Sequence, residues 1–76
     1  MRWIFSMEME DTGRMISRAL LPFDHLRVAI ESLAAARTDN AISLTVVVEA
    51  DVEQSKRIEA LLWKIHGTIQ IHVARE

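Results

Sequence analysis

The stretch VAIESL, residues 28–33, decides the fold of this chain. With its flanks it reads LRVAIESLAAAR, residues 26–37. Leu26, Ile30, Leu33 and Arg37 then recur at helical spacing among good helix formers. Taken alone it reads as a strand, with Val28 and Ile30 on one face and Ala29, Glu31 and Leu33 on the other. The next residues along the chain favour the strand. RTDN, residues 37–40, is a turn signal. AISLTVVVEA, residues 41–50, is the clearest strand in the chain, dense in β-branched residues, with Ile42, Leu44, Val46 and Val48 on one face. A strand over about residues 27–37 pairs directly with it as a hairpin. A helix there would have to stop at Arg37 without a Gly, and would leave a sheet of only three strands.

Working outward, RWIFSMEM, residues 2–9, alternates, and Trp3, Phe5, Met7 and Met9 form its core face. EDTG, residues 10–13, breaks the pattern, and Gly13 is one of two glycines. Residues 14–21 carry a helical stripe of Met15, Ile16, Ala19 and Leu20 that extends to Phe23, with Asp11 or Thr12 as the expected cap. Pro22 is expected to end this helix near Leu21. Asp51, with Gln54 three residues on, predicts a capping box for a helix over 52–66. Ile58, Leu61, Leu62 and Ile65 form its apolar stripe, and Gly67 comes after it as its C′ residue. TIQIHVAR, residues 68–75, alternates again, with Ile69, Ile71 and Val73 opposite Thr68, Gln70 and His72. The order is β-α-β-β-α-β, which with right-handed crossovers on one sheet face gives strand order 4-1-3-2. The expectation is one α+β domain over residues 1–76, a ferredoxin-like sandwich with an antiparallel four-stranded sheet and two helices on one face.

Composition narrows the function. A chain of 76 residues without Cys buries little core for its surface, so a partner chain is expected. The formal net charge is −2 and the basic residues are scattered, which argues against nucleic acid as a partner. No apolar run approaches the roughly 20 residues of a membrane helix, and the acidic start MRWIFSMEME does not read as a secretory segment. A cytoplasmic location is the default. His25, His66 and His72 lack metal-ligand spacing and read as surface histidines. There is no nucleophile elbow and no phosphate loop, so no catalytic residues, metal or cofactor are expected.

Three segments carry a resemblance: MEMEDTGRMISRALLPF (7–23), VAIESLAAARTDNAISLTVVVEAD (28–51) and IEALLWKIHGTIQIHV (58–73). Together they resemble the ACT domain, and more narrowly the single-domain regulatory small subunit of acetolactate synthase. Gly13 matches the loop glycine, Arg18 the helix arginine, Phe23 the apolar end, and Ile30-Glu31-Ser32-Leu33 a tetrapeptide of that family. Leu62, Lys64 and Ile65 match its late helix segment. The chain departs from the pattern at Thr12, where Pro is usual, at Leu26 and Arg27, where a Gly is usual, and at Ala29, where an effector-holding Asn is usual.

The resemblance implies the same ferredoxin-like fold and a non-catalytic protein. It implies a homodimer that binds the thiamine-diphosphate-dependent large subunit of acetolactate synthase and raises its activity, with weak or no valine feedback. The open sheet face is the expected docking surface. The alternative is a stand-alone amino-acid-binding module. The candidate effector residues are Asp11, Thr12, Gly13 and Arg14 in the loop and helix start, where backbone N–H groups attract a carboxylate, with Ala29 and Ile30 on the second strand. A branched-chain amino acid is the expected ligand.

Overall fold

A computed structural model describes residues 1–76. The elements run β1 (Arg2–Glu10), α1 (Met15–His25), β2 (Ala29–Thr38), β3 (Ala41–Glu49), α2 (Val52–Trp63) and β4 (Thr68–Arg75). The four strands form one sheet in the order β2-β3-β1-β4, with every neighbouring pair antiparallel. This is the expected topology, and VAIESL enters it as the start of β2.

The alternating faces build the core. Phe5, Met7 and Met9 of β1 and Ile42, Leu44, Val46 and Val48 of β3 are buried, joined by Met15, Ala19 and Phe23 of α1 and Ile58 and Leu62 of α2. Phe5 and Phe23 meet edge to face, with ring centroids 5.2 Å apart. Trp3 is half-buried, and its indole N–H donates to the Ala50 carbonyl at 2.9 Å. The capping box at α2 forms as expected. The Asp51 carboxylate accepts from the Gln54 N–H at 2.7 Å, and the Gln54 side chain accepts from the Asp51 N–H at 3.0 Å.

The helices differ from the expectation at their ends. α1 does not stop at Leu21 but runs through Pro22 to His25. Pro22 lacks the N–H that would pair with the Arg18 carbonyl, but Pro22 and Phe23 are both buried there, and the Leu26 N–H closes the last turn on the Pro22 carbonyl at 3.1 Å. The helix then ends in a Schellman motif. Val28 N–H donates to Phe23 O at 3.2 Å and Arg27 N–H to Asp24 O at 3.0 Å, with Arg27 left-handed at φ 57°. Arg27 thus takes the conformation that glycine usually supplies.

At its start α1 has no side-chain cap, and its N-cap residue is Arg14, itself at φ 63°. The expected caps Asp11 and Thr12 are otherwise engaged: Asp11 pairs with Arg37, and Thr12 accepts the Met15 N–H through its backbone carbonyl at 3.1 Å. α2 ends at Trp63, earlier than residue 66. Lys64 and Ile65 donate back to Leu61 and Leu62 in a tightened turn, and the Thr68 hydroxyl donates to Leu62 O at 2.9 Å.

Two bulges change which residues share a face. In β2, Ile30 pairs with Val48 and Ser32 with Val47, so Glu31 is the extra residue. Ile30 and Leu33 consequently lie on the same, helix-side face, opposite Val48 and Val46, and not on opposite faces as simple alternation predicts. In β4, Thr68 pairs with Met9 and Gln70 with Glu8, so Ile69 is extra and Thr68 turns to the core side. Ile30 does not join the buried core. All ten residues of β2 are exposed, Ile30 at 41% and Leu33 at 44%, because the helices leave this outer strand uncovered.

Candidate functional site

The loop from β1 to α1 meets the β2–β3 hairpin at one end of the sheet. Glu10 pairs with Ala41, and Ala41 with Thr38, so the register brings residue 11 beside the hairpin turn. Asp39 takes φ 51° in the two-residue turn, a conformation Asp tolerates. Asp11 fastens the two parts twice. Its N–H donates to Asn40 O at 2.9 Å, and its carboxylate lies 2.6 Å from Arg37 Nε. The Asp11 side chain is 24% exposed and the Arg37 side chain 72%.

Against this pair lies a shallow cavity of about 220 Å³, lined by Asp11, Thr12, Gly13 and Arg14, the first turn of α1, Arg37 and Ile42. A smaller apolar cavity of about 90 Å³, lined mainly by Ile16, Ala35, Ala36 and Ile42, shares Ile16, Arg37 and Ile42 with it. The structure therefore brings Asp11, Thr12, Gly13 and Arg14 together. It does not bring Ala29 and Ile30 to them within one chain. Ala29 pairs with Glu49 at the far end of β2, whereas Thr38 pairs with Ala41 at the loop end.

Arg37 is the site residue that sequence reasoning missed. It reads there as part of a helical spacing and of a turn signal, yet it sits on the helix-side face opposite Ile42 and reaches the loop. The signal was the hairpin register: a two-residue turn at 39–40 puts residues 37 and 11 at the same sheet end. The left-handed residue of this loop is not its glycine. Gly13 does not adopt a positive φ and has open space around it, whereas the neighbouring Arg14 does. Gly67 holds the other side of the loop. Its carbonyl accepts the Glu10 N–H at 2.8 Å, and at φ 105° an added Cβ would lie 2.5 Å from Met15 Cε.

Other surfaces have a different character. The largest depression, about 480 Å³, runs between α1 and α2 over Leu21, Pro22, Leu61 and Ile65 and holds none of the candidates. The open sheet face carries a polar hollow of about 260 Å³ at Ser6, Glu8, Ser43, Gln70 and His72. One end of that face is charged and internally paired: Met1 amino with Glu49 at 2.6 Å, and Arg2 with Glu31 at 2.9 Å and Glu76 at 3.0 Å. His25, His66 and His72 are all exposed, and no three metal-binding side chains cluster. No helix is long and apolar enough to cross a membrane.

Comparison with known proteins places the fold. No family model and no curated sequence matches the chain. Among solved structures it is similar to the ACT domain from GTP pyrophosphokinase of Chlorobium tepidum, with TM-score 0.83 and 11% identity over 96% of each chain. It is similar to the acetolactate synthase small subunit from Thermotoga maritima, with TM-score 0.82 and 16% identity over 96% of this chain. It spans about half, 47%, of that second protein. The C-terminal domain of MgtC from Mycobacterium tuberculosis is similar at TM-score 0.76 and 11% identity, over 96% of this chain and 84% of that one. The chain thus has the ferredoxin-like fold of an ACT domain.

Proposed function

We propose that the chain is a regulatory subunit that binds the catalytic subunit of acetolactate synthase and raises its pyruvate-condensing activity. The observation that carries this reading is where the resemblance falls. Its tetrapeptide Ile30-Glu31-Ser32-Leu33 lies across the bulge of β2, the one strand whose every residue is exposed. Ile16, at 37% exposure, lies beside Ala35 and Ala36 farther along the same strand. Beyond the bulge, Ser32–Thr38 has regular pairing on one side, a free edge on the other, and neither Lys nor Pro to blunt it.

Two copies pair along this edge in our proposal. Antiparallel pairing about a two-fold at Ala34, with Glu31 left over as the extra residue, sets Ile30 of one copy opposite Arg37 of the other. Ala29 and Ile30 of one copy then approach the Asp11–Arg14 loop of the second, which is how the six candidate residues form one site. The dimer acts on the catalytic subunit by binding its more active state more tightly, shifting that population. The test is to purify the chain with the catalytic subunit of the same organism and measure pyruvate condensation with and without it. A stable complex with a raised rate is expected; no complex and no change in rate would refute the proposal.

The second reading, an amino-acid-binding ACT module, is favoured by the cavity at Asp11–Arg14 and Arg37. A thermal shift of the isolated chain with valine, leucine or isoleucine tests it, and the absence of a shift with all three counts against it.

A further inference from the structure

We propose that the groove between α1 and α2 is a docking surface, and that its occupant is an acidic amphipathic helix of the catalytic subunit. This rests on the regulatory-subunit reading above. It puts the contact on the helix side of the sheet instead of the open face expected from the sequence.

Two helical rows make the groove. Arg14, Arg18, Leu21 and His25 recur at i, i+4, i+7 and i+11 along one side of α1. Leu61 and Ile65 form the facing row at the end of α2, and Lys64 stands three residues after Leu61. Leu21, Pro22, Leu61 and Ile65 supply the apolar part of the depression of about 480 Å³ between the helices. Leu21 is 61% exposed, more than any other large apolar side chain. The start of α1 lies at the end of α2, where the Arg18 guanidinium donates to His66 O at 3.3 Å and Met15 lies against Gly67. Arg14, Arg18 and Lys64 therefore stand toward one end of the groove, and Asp24 toward the other.

The charges specify the occupant. None of the chain's ion pairs uses Arg14, Arg18 or Lys64, whereas Arg2 and the Met1 amino group at the open sheet face are already matched by Glu31, Glu76 and Glu49. A chain of formal net charge −2 thus sets unpaired cations beside exposed apolar side chains in this one groove. Carboxylates flanking an apolar stripe are the complement of such a surface. The guest is a helix because α1 and α2 have spent their backbone groups internally and offer no edge for a strand, so the guest has to satisfy its own. Its apolar residues at i, i+3 and i+7 fill the groove over Leu21, Leu61 and Ile65, and its Asp or Glu side chains meet the three cations. Pairing of two copies along β2 keeps both helix layers on one side of the joined sheet, so both grooves stay open in the dimer.

The experiment measures the affinity of the whole chain for the catalytic subunit of the same organism by calorimetry, with Leu21→Glu, Lys64→Glu, Lys64→Arg and, on the open face, Ser43→Lys. Leu21→Glu and Lys64→Glu are each expected to weaken the complex by about tenfold or more, with circular dichroism unchanged. Lys64→Arg and Ser43→Lys are expected to stay within about twofold of the unaltered chain. If both glutamate variants bind as tightly as the unaltered chain, the groove is not the docking surface, while the regulatory reading stands. If Leu21→Glu lowers the sedimenting mass of the chain alone, a second copy covers the groove. If phosphatidylglycerol vesicles carry down the unaltered chain but neither glutamate variant, a lipid surface covers it. Either of these results overturns the proposal. If no complex with the catalytic subunit forms, this proposal and the regulatory reading both fall.

Discussion

Gly67 and Gly13 flank the same loop but answer to different constraints. Gly67 combines φ 105° with Met15 Cε only 2.5 Å from where a Cβ would go, so Gly67→Ala has to strain the backbone and displace a buried methionine. A loss of about 2–3 kcal/mol is expected from urea unfolding. Gly13→Ala meets nothing within 4 Å and no left-handed backbone, so it stiffens the unfolded chain and gains about 0.4–1 kcal/mol in the same assay. Arg27 offers the opposite opportunity. It closes a Schellman motif at φ 57°, and Arg27→Gly relieves the Cβ penalty, raising stability by about 0.5–1 kcal/mol as read from the shift in urea midpoint. Two of these three positions were legible as special in the sequence, Gly67 through the helix before it and Arg27 through the missing glycine. The turn that draws the eye to Gly13 instead rests its left-handed residue on Arg14. Rarity of a glycine marks a loop but not which residue bends it.

At the scale of elements, the bulge explains why VAIESL reads two ways. One extra residue at Glu31 turns the period-2 spacing of a strand into an i, i+3 spacing, so Ile30 and Leu33 share a face as they would in a helix. Periodicity alone has no means of separating the two; the hairpin to β3 does. The register also predicts the outcome of a deletion. Without Glu31, Ile30 still pairs with Val48 and Ser32 with Val47, so the variant is expected to fold with its sheet unchanged and lose only the exposed Arg2–Glu31 pair, within about 1 kcal/mol. Retained cross-strand NOEs between Ile30 and Val48 and between Leu33 and Val46 check it. Deleting Ala34 instead moves the residues on one side of the cut to the wrong face and is expected to destroy the pairing there. The early end expected for α1 came from treating Pro22 as a full stop. The proline's missing N–H is a local cost, and the burial of Pro22 and Phe23 outweighs it, a tertiary term invisible in the segment itself.

For the whole molecule, the order of strands and the core faces of β1 and β3 followed from alternation, because each of these strands has one covered face. The exposure of β2 did not, since it depends on where the helices lie over the sheet. That exposure is what the proposed dimer uses. Leu33 is already 44% exposed in the single chain, so Leu33→Asp removes apolar contact from the β2 edge at little cost to the fold. Sedimentation velocity is expected to show a dimer for the unaltered chain and a monomer for this variant, with the same circular dichroism. The most direct measurement is pyruvate condensation by the catalytic subunit of acetolactate synthase from the same organism, with and without stoichiometric chain. A rate raised severalfold, and restored to its basal value when Leu33→Asp replaces the unaltered chain, is the predicted result. An unchanged rate with no co-purifying complex would contradict the account.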